Sequence, residues 1–190
     1  MKSYRKTLNG DGDFITRAES TITGLTIDNI VLMNRDLSYK LKWKDAPKQL
    51  KLIEKTSPNT DVIYTELHFP FPMSNRELVT KRFFAGNEED ADLIKQLGLP
   101  EKSHRYYVIL TENTERPEYP EKSKRVRAKI LSYIFLEEDA NDKTTLKATC
   151  FLFQDLKLGL PAKKALDDGL GHIAIGGLLA DYEKTFGKGK

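Results

Sequence analysis

The spacing of apolar positions changes three times along this chain. Near the start, Ser3–Leu8 and Phe14–Ile22 flank Asn9-Gly10-Asp11-Gly12. Asn-Gly and Asp-Gly form turns because glycine accepts positive φ, so the two arms are expected to pair as a β-hairpin. In the second arm Phe14, Thr16, Ala18 and Ser20 alternate with Ile15, Arg17, Glu19 and Thr21. From Thr26 the spacing becomes three and four. Ile27, Ile30, Val31, Asn34 and Leu37 then fall on one helical stripe. Thr26 is placed to cap that helix, and Asp28 sits near the positive end of its dipole. A second short helical piece is expected over 37–43, closed by Pro47.

From Gln49 the period falls to two. Strands are expected over 50–56, 61–69, 76–85, 104–113, 124–137 and 143–155. They are broken at Ser57-Pro58-Asn59, Pro70-Phe71-Pro72, Pro117–Pro120 and Asn141-Asp142. Short turns between neighbours imply antiparallel pairing. A helix over 88–97 interrupts one hairpin, with Asn87 as its cap, Gly98 at its C′ position and Pro100 as its stop. After Pro161 a long helical tail is expected over 162–186, bent near Gly169–Gly171. Helices gathered on one side of an antiparallel sheet give an α+β fold. A sheet this long must curl, and a long C-terminal helix across its concave face would enclose an internal cavity.

Composition removes several classes. The 190 residues fit a single domain covering 1–190 and can bury a core together with a ligand cavity. A net charge of +3 is too small to point to nucleic acid. No apolar run approaches the ~20 residues that a membrane span needs. The single cysteine, Cys150, excludes an internal disulfide and a multi-cysteine zinc site. Its place among Leu146, Ala148 and Leu152 gives a buried, inert thiol, and a reduced, cytoplasmic setting is the default. His68, His104 and His172 have no partner at metal-ligand spacing. Neither a nucleophile elbow nor a Walker loop occurs. Gly169-Leu170-Gly171-His172-Ile173-Ala174 follows no strand, so it is no dinucleotide site. No cofactor or metal is implied. The basic runs Lys40–Lys55 and Lys122–Lys129 are first of all solvated faces, and secondly a docking surface for anionic lipid.

The most informative stretch runs from Thr65 to Arg82. Its proline corner, Phe69-Pro70-Phe71-Pro72-Met73-Ser74-Asn75, is stiff and joins two strands. Glu66 lies on one face of the first strand, and Arg76 and Arg82 share a parity on the second. On parity alone the expectation is that all three face solvent, as most Arg and Glu do. If the three face the concave side instead, an acid and two bases project into an otherwise apolar space. Each such ion must then be paired or must meet a charged ligand group.

The corner and the strand Arg76-Glu77-Leu78-Val79 resemble those of START domains, the steroidogenic-acute-regulatory-related lipid-transfer domains of the Bet v 1-like, helix-grip superfamily. The phosphatidylcholine-transfer branch is the most similar. Trp43-Lys44-Asp45, Arg125-Val126-Arg127 and Gln154-Asp155 through Gly159-Leu160-Pro161 resemble further family landmarks in order. The chain departs from the family in starting at the hairpin, in carrying the insert 88–97, in Glu77 for the usual Asp, and in Phe69 where that branch has Tyr. A phenyl ring cannot donate the hydrogen bond a tyrosine would give to phosphate.

The resemblance implies a helix-grip fold and non-enzymatic binding and transfer of a lipid, phospholipid first and sterol next. It implies a monomer with transient contact to a membrane surface and no nucleic-acid partner. By position, Arg76 resembles the family's phosphate-binding arginine. Glu66 and Arg82 resemble an acid and base that face each other in the cavity of sterol-binding members. Phe69, Tyr133, Phe135, Phe151 and Phe153 are added as candidate lipid contacts, with Tyr106 and Tyr107 as further aromatics that could line the cavity. Two alternatives stand beside this one. The first is a cyclase- or hydrolase-type enzyme of the same superfamily, using His68. The second is a ligand-free protein-binding module.

Overall fold

The computed structural model describes residues 2–8, 13–42, 47–69, 71–121 and 124–157. The helix expected over 162–186, the Trp43-Lys44-Asp45 landmark and the Gly159-Leu160-Pro161 landmark lie outside them. The described residues form β1 (Lys2–Leu8), β2 (Asp13–Thr23), α1 (Ile27–Arg35), α2 (Leu37–Lys40), β3 (Gln49–Ser57), β4 (Thr60–Leu67) and β5 (Arg76–Gly86). There follow α3 (Ala91–Gln96), β6 (Tyr106–Asn113), β7 (Val126–Arg127), β8 (Lys129–Glu138) and β9 (Thr145–Asp155).

One sheet holds every strand, in the order β1-β2-β9-β8-β6-β5-β4-β3, with all these neighbours antiparallel. The hairpin expected at the start is present as β1 and β2. β9 returns to pair with β2, from Ile15 opposite Phe153 to Thr23 opposite Thr145. The strand expected over 124–137 is divided. β7 pairs in parallel with the first residues of β5, and β8 continues beside β6. β3 is an edge strand, mostly exposed and irregular between Leu52 and Ser57, which blunts it against pairing with another chain.

The sheet has two apolar faces. On the inner face, Ile27, Ile30 and Met33 of α1 pack with Ala18, Ile22, Phe84, Ile109, Leu136 and Leu146. Thr26 caps α1 by accepting from Asn29 N, while the Asn29 side chain accepts from Thr26 N. Arg35 ties the other end of α1 to Pro58 O at 2.8 Å and to Tyr107 Oη at 3.0 Å. On the outer face, Ile94 of α3 packs with Ala85, Tyr106 and Val108. A second outer cluster joins Val62, Tyr64 and Val79, with Tyr119 against it.

α3 begins at Ala91 with Asp90 as its N-cap, later than the sequence suggests. Asn87 instead accepts from Tyr106 N at 2.7 Å and donates to His104 O at 3.1 Å, which fixes the insert to β6. Gly98 follows the helix with φ of 65°, the left-handed conformation that favours glycine at this position.

Candidate functional site

Register decides which charged side chains meet. In the β4–β5 pair, Glu66 stands opposite Glu77, Asp61 opposite Arg82, and Leu67 opposite Arg76. Paired residues share a face, and neighbours along a strand alternate. Arg76, Leu78, Thr80 and Arg82 therefore face inward with Asp61, Ile63 and Thr65. Glu66 and Glu77 face outward with Tyr64.

The inner face carries a cavity of about 240 Å³. Its wall includes Ile63, Leu78, Ile109, Ile134 and Leu152, with Thr80, Thr111, Ser132 and Gln154 between them. At one end stand Arg82, Asn34 and Lys40. Arg82 is 2% exposed. It donates to both oxygens of Asp61, at 2.7 and 2.6 Å, and to Asn34 O at 2.7 Å. Lys40 is half-buried beside this pair. Burial, and then the Arg82 charge, push its pKa down to about 7, with Asp61 opposing.

Two residues before Leu78, on the same face of β5 but outside the lining of this cavity, Arg76 is buried at the start of the strand. Its guanidinium donates to Leu156 O at 2.9 Å, to Lys157 O at 3.3 Å and to Ser74 O. The Phe69 ring lies 4.7 Å from it, a cation–π distance. Lys157 holds its carbonyl there with φ of 51°, an uncommon conformation for a residue with a side chain. Burial lowers the Arg76 pKa. No carboxylate of the described residues pairs with it. Arg76 and Arg82 are six residues apart on one strand, roughly 20 Å at ~3.3 Å per residue.

The expected ion pair between Glu66 and Arg82 is not formed. Glu66 binds Arg125 at 2.6 Å and accepts from Asn75 at 2.7 Å on the outer face. Its neighbour Glu77 binds Arg127 at 2.9 Å and accepts from Tyr64 Oη at 3.0 Å. Burial works to raise the Glu66 pKa, but Asn75 and Arg125 outweigh it and hold it below the usual value. β7 brings these arginines over two adjacent buried carboxylates, so part of the basic run 122–129 neutralises the sheet rather than lying free on its surface. Asp61 is the acid that sequence reasoning missed. It lies on the same strand as Glu66 with the opposite parity, and no motif marks it.

The aromatics expected to line the cavity also change sides. In β8 and β9, the inner positions are Ile130, Ser132, Ile134, Cys150 and Leu152. Tyr133, Phe135, Phe151 and Phe153 have the other parity and lie on the outer face. Tyr133 and Phe135 pack beneath α3, and Phe151 meets Tyr133 at a ring distance of 6.2 Å. Of the two further aromatics, Tyr106 is buried on the outer face and Tyr107 in the inner cluster. Phe69 is the one aromatic candidate in contact with a charged one. Cys150 is buried, and burial pushes its thiol up to about 12, consistent with an inert side chain.

An antiparallel sheet with helices packed on its inner face beside a cavity defines the α+β helix-grip class. The START domain family model matches residues 4–166, and the chain belongs to the START domain family. Rat phosphatidylcholine transfer protein is 34% identical over 111 residues, which is 58% of this chain and 44% of that protein. Mouse "StAR-related lipid transfer protein 7, mitochondrial" is 24% identical over 130 residues, 68% of this chain and 31% of that protein. The chain thus matches less than half the length of these relatives. The crystal structure of human STARD10 superposes with a TM-score of 0.74 at 19% identity, over 96% of this chain and 69% of that one. No described helix is long and apolar enough to cross a membrane.

Proposed function

We propose that this chain binds a lipid in the inner-face cavity and carries it between membranes without changing it chemically, a phospholipid before a sterol. The observation that supports this most directly is Arg76. It is a buried cation at one end of an inner-facing row, oriented by three carbonyls and a phenyl ring, and no described carboxylate balances it. An unbalanced buried charge is costly, and an anionic headgroup would supply the missing partner. A planar guanidinium suits two phosphate oxygens at once. By contrast, Arg82 and Asp61 satisfy each other, so a sterol hydroxyl would compete with a bidentate pair. His68, on which the enzyme alternative rested, is exposed.

The test is transfer of fluorescent phosphatidylcholine and of fluorescent sterol between vesicles by the wild type, Arg76→Lys and Arg76→Ala. A charge-assisted bond in a dry site contributes about 1.5–3 kcal/mol. Arg76→Ala should therefore weaken phospholipid binding roughly ten- to hundredfold, with sterol transfer little changed and Arg76→Lys intermediate. Equal loss of both ligands would mean that Arg76 acts through folding. Unchanged phospholipid transfer would remove it as the headgroup site.

A further inference from the structure

The cavity itself is bordered by a charge that the proposed Arg76 site does not use. Lys40 closes α2 and borders the cavity together with Arg82 and Asn34. The groups that act on its charge are Arg82 from β5, which opposes it, and Asp61 from β4, which favours it, while β3, also packed against α2, sets the exposed Lys55 opposite Asp61. Asn34 from α1 is neutral and already donates to Ile30 O at 2.9 Å. Both Asp61 oxygens are engaged by Arg82. One acid thus stands against two bases, and no other acid of the described residues pairs with Lys40. The rest of the described wall is aliphatic, hydroxyl, thiol or amide.

We propose that Lys40 is the recognition residue of a second anion subsite, which takes a carboxylate or phosphate oxygen of a single-chain amphiphile lying in the cavity. This rests on the carrier reading and deepens it by naming a ligand class. The aliphatic wall holds the chain, and the ammonium holds its charged end. The incoming anion supplies the countercharge that Asp61 is too occupied to give, and the Arg82 field adds to the attraction. Anion binding therefore favours the protonated amine. Near pH 7 the empty site holds Lys40 partly neutral, so binding takes up a proton and weakens as pH rises. Arg76 stays charged throughout this range, so any anion preference that it gives is flat with pH.

The experiment compares three probes with one chain length: oleate, oleyl methyl phosphate, whose diester keeps a single charge over the range, and oleyl alcohol. Each displaces a fluorescent lipid from the full chain at about pH 6 and about pH 9, and the Lys40 Cε signal is followed by NMR on lysine-labelled protein. At the lower pH the preferred anion should bind about tenfold more tightly than the alcohol, and the advantage should shrink at the higher pH. Bound anion should raise the Lys40 titration midpoint, and bound alcohol should not. The ratio of oleate to oleyl methyl phosphate tells carboxylate from phosphate. Lys40→Met should abolish the pH-dependent preference and leave oleyl alcohol unaffected, whereas Lys40→Arg should keep the preference and make it flat with pH. An unchanged pH-dependent preference in Lys40→Met, or equal weakening of the alcohol, would overturn the proposal. Alcohol binding with no anion preference would overturn it and leave the carrier reading standing. Failure of all three probes to displace a bound fluorescent lipid would overturn the proposal alone, whereas failure of the fluorescent lipid itself to bind would overturn both.

Discussion

At the scale of single residues, the contrast lies between two buried acids on one strand. Asp61 has both oxygens held by Arg82 on the inner face, while Glu66 binds the partly exposed Arg125 on the outer face. Removing one member of a buried pair costs about 3–5 kcal/mol, because the other is left charged and dry. Asp61→Ala and Arg82→Ala should each lose about that much in urea denaturation. The double variant should lose clearly less than the combined single losses. The same cycle run on Glu66 and Arg82 should be additive within about 0.5 kcal/mol, because the two lie on opposite faces. Coupling between Glu66 and Arg82, or none between Asp61 and Arg82, would contradict this register. The sequence could not supply the register. Parity shows that Arg76 and Arg82 share a face, but the corner 68–75 is a long connection without a standard turn, so its length does not say which residues of β4 stand opposite. Arg76, Arg82 and Phe69 were legible because they sit in or after the proline corner. Asp61 and Lys40 were not, because each becomes special only through a neighbour distant in the chain.

At the scale of elements, α3 shows both what patterning reveals and where it stops. The sequence marks a short helix inserted between two strands, and the structure has it packed on the outer face. Ile94 is 4% exposed and rests on Ala85, Tyr106 and Val108, while Asn87 and the Tyr106 hydroxyl tie the flanking segments down. Ile94→Ala should cost about 2–5 kcal/mol, the range for such truncations in a core. Hydrogen exchange should rise at β6 and around α3, and lipid transfer should persist, since the cavity is on the other side of the sheet. Loss of transfer in a variant that remains folded would mean that α3 acts on the cavity. The same stretch explains why the aromatics were placed on the wrong side. Ile130, Leu131, Ser132, Tyr133, Ile134, Phe135 and Leu136 are apolar on both parities save Ser132. Alternation shows that a strand has two faces, and an apolar outer cover such as α3 removes the polar mark that would name the outside.

At the scale of the whole molecule, one sheet separates two apolar environments with different linings. The inner face joins α1, the core and the cavity, and the outer face carries α3, the aromatic row and the glutamate–arginine pairs. This division predicts that neighbouring positions on β8 and β9 respond in opposite ways. Ser132 borders the cavity, and the bulky ring of Ser132→Trp would occupy space that a lipid needs. Overpacking a core is destabilising, but an open cavity takes up the added volume, so Ser132→Trp should lower thermal stability little while abolishing lipid uptake. Phe151 is partly exposed on the outer face, against Tyr133 and the Arg17 guanidinium. Phe151→Ser should lose some stability through the vanished ring contacts, yet leave uptake unchanged. The two variants would be compared by thermal melting and by native mass spectrometry after incubation with phosphatidylcholine vesicles. Bound lipid retained in Ser132→Trp, or lost from a folded Phe151→Ser, would show that the ligand does not lie on the inner face. The aromatic row on β8 and β9 would then regain the role that the residue pattern first suggested for it.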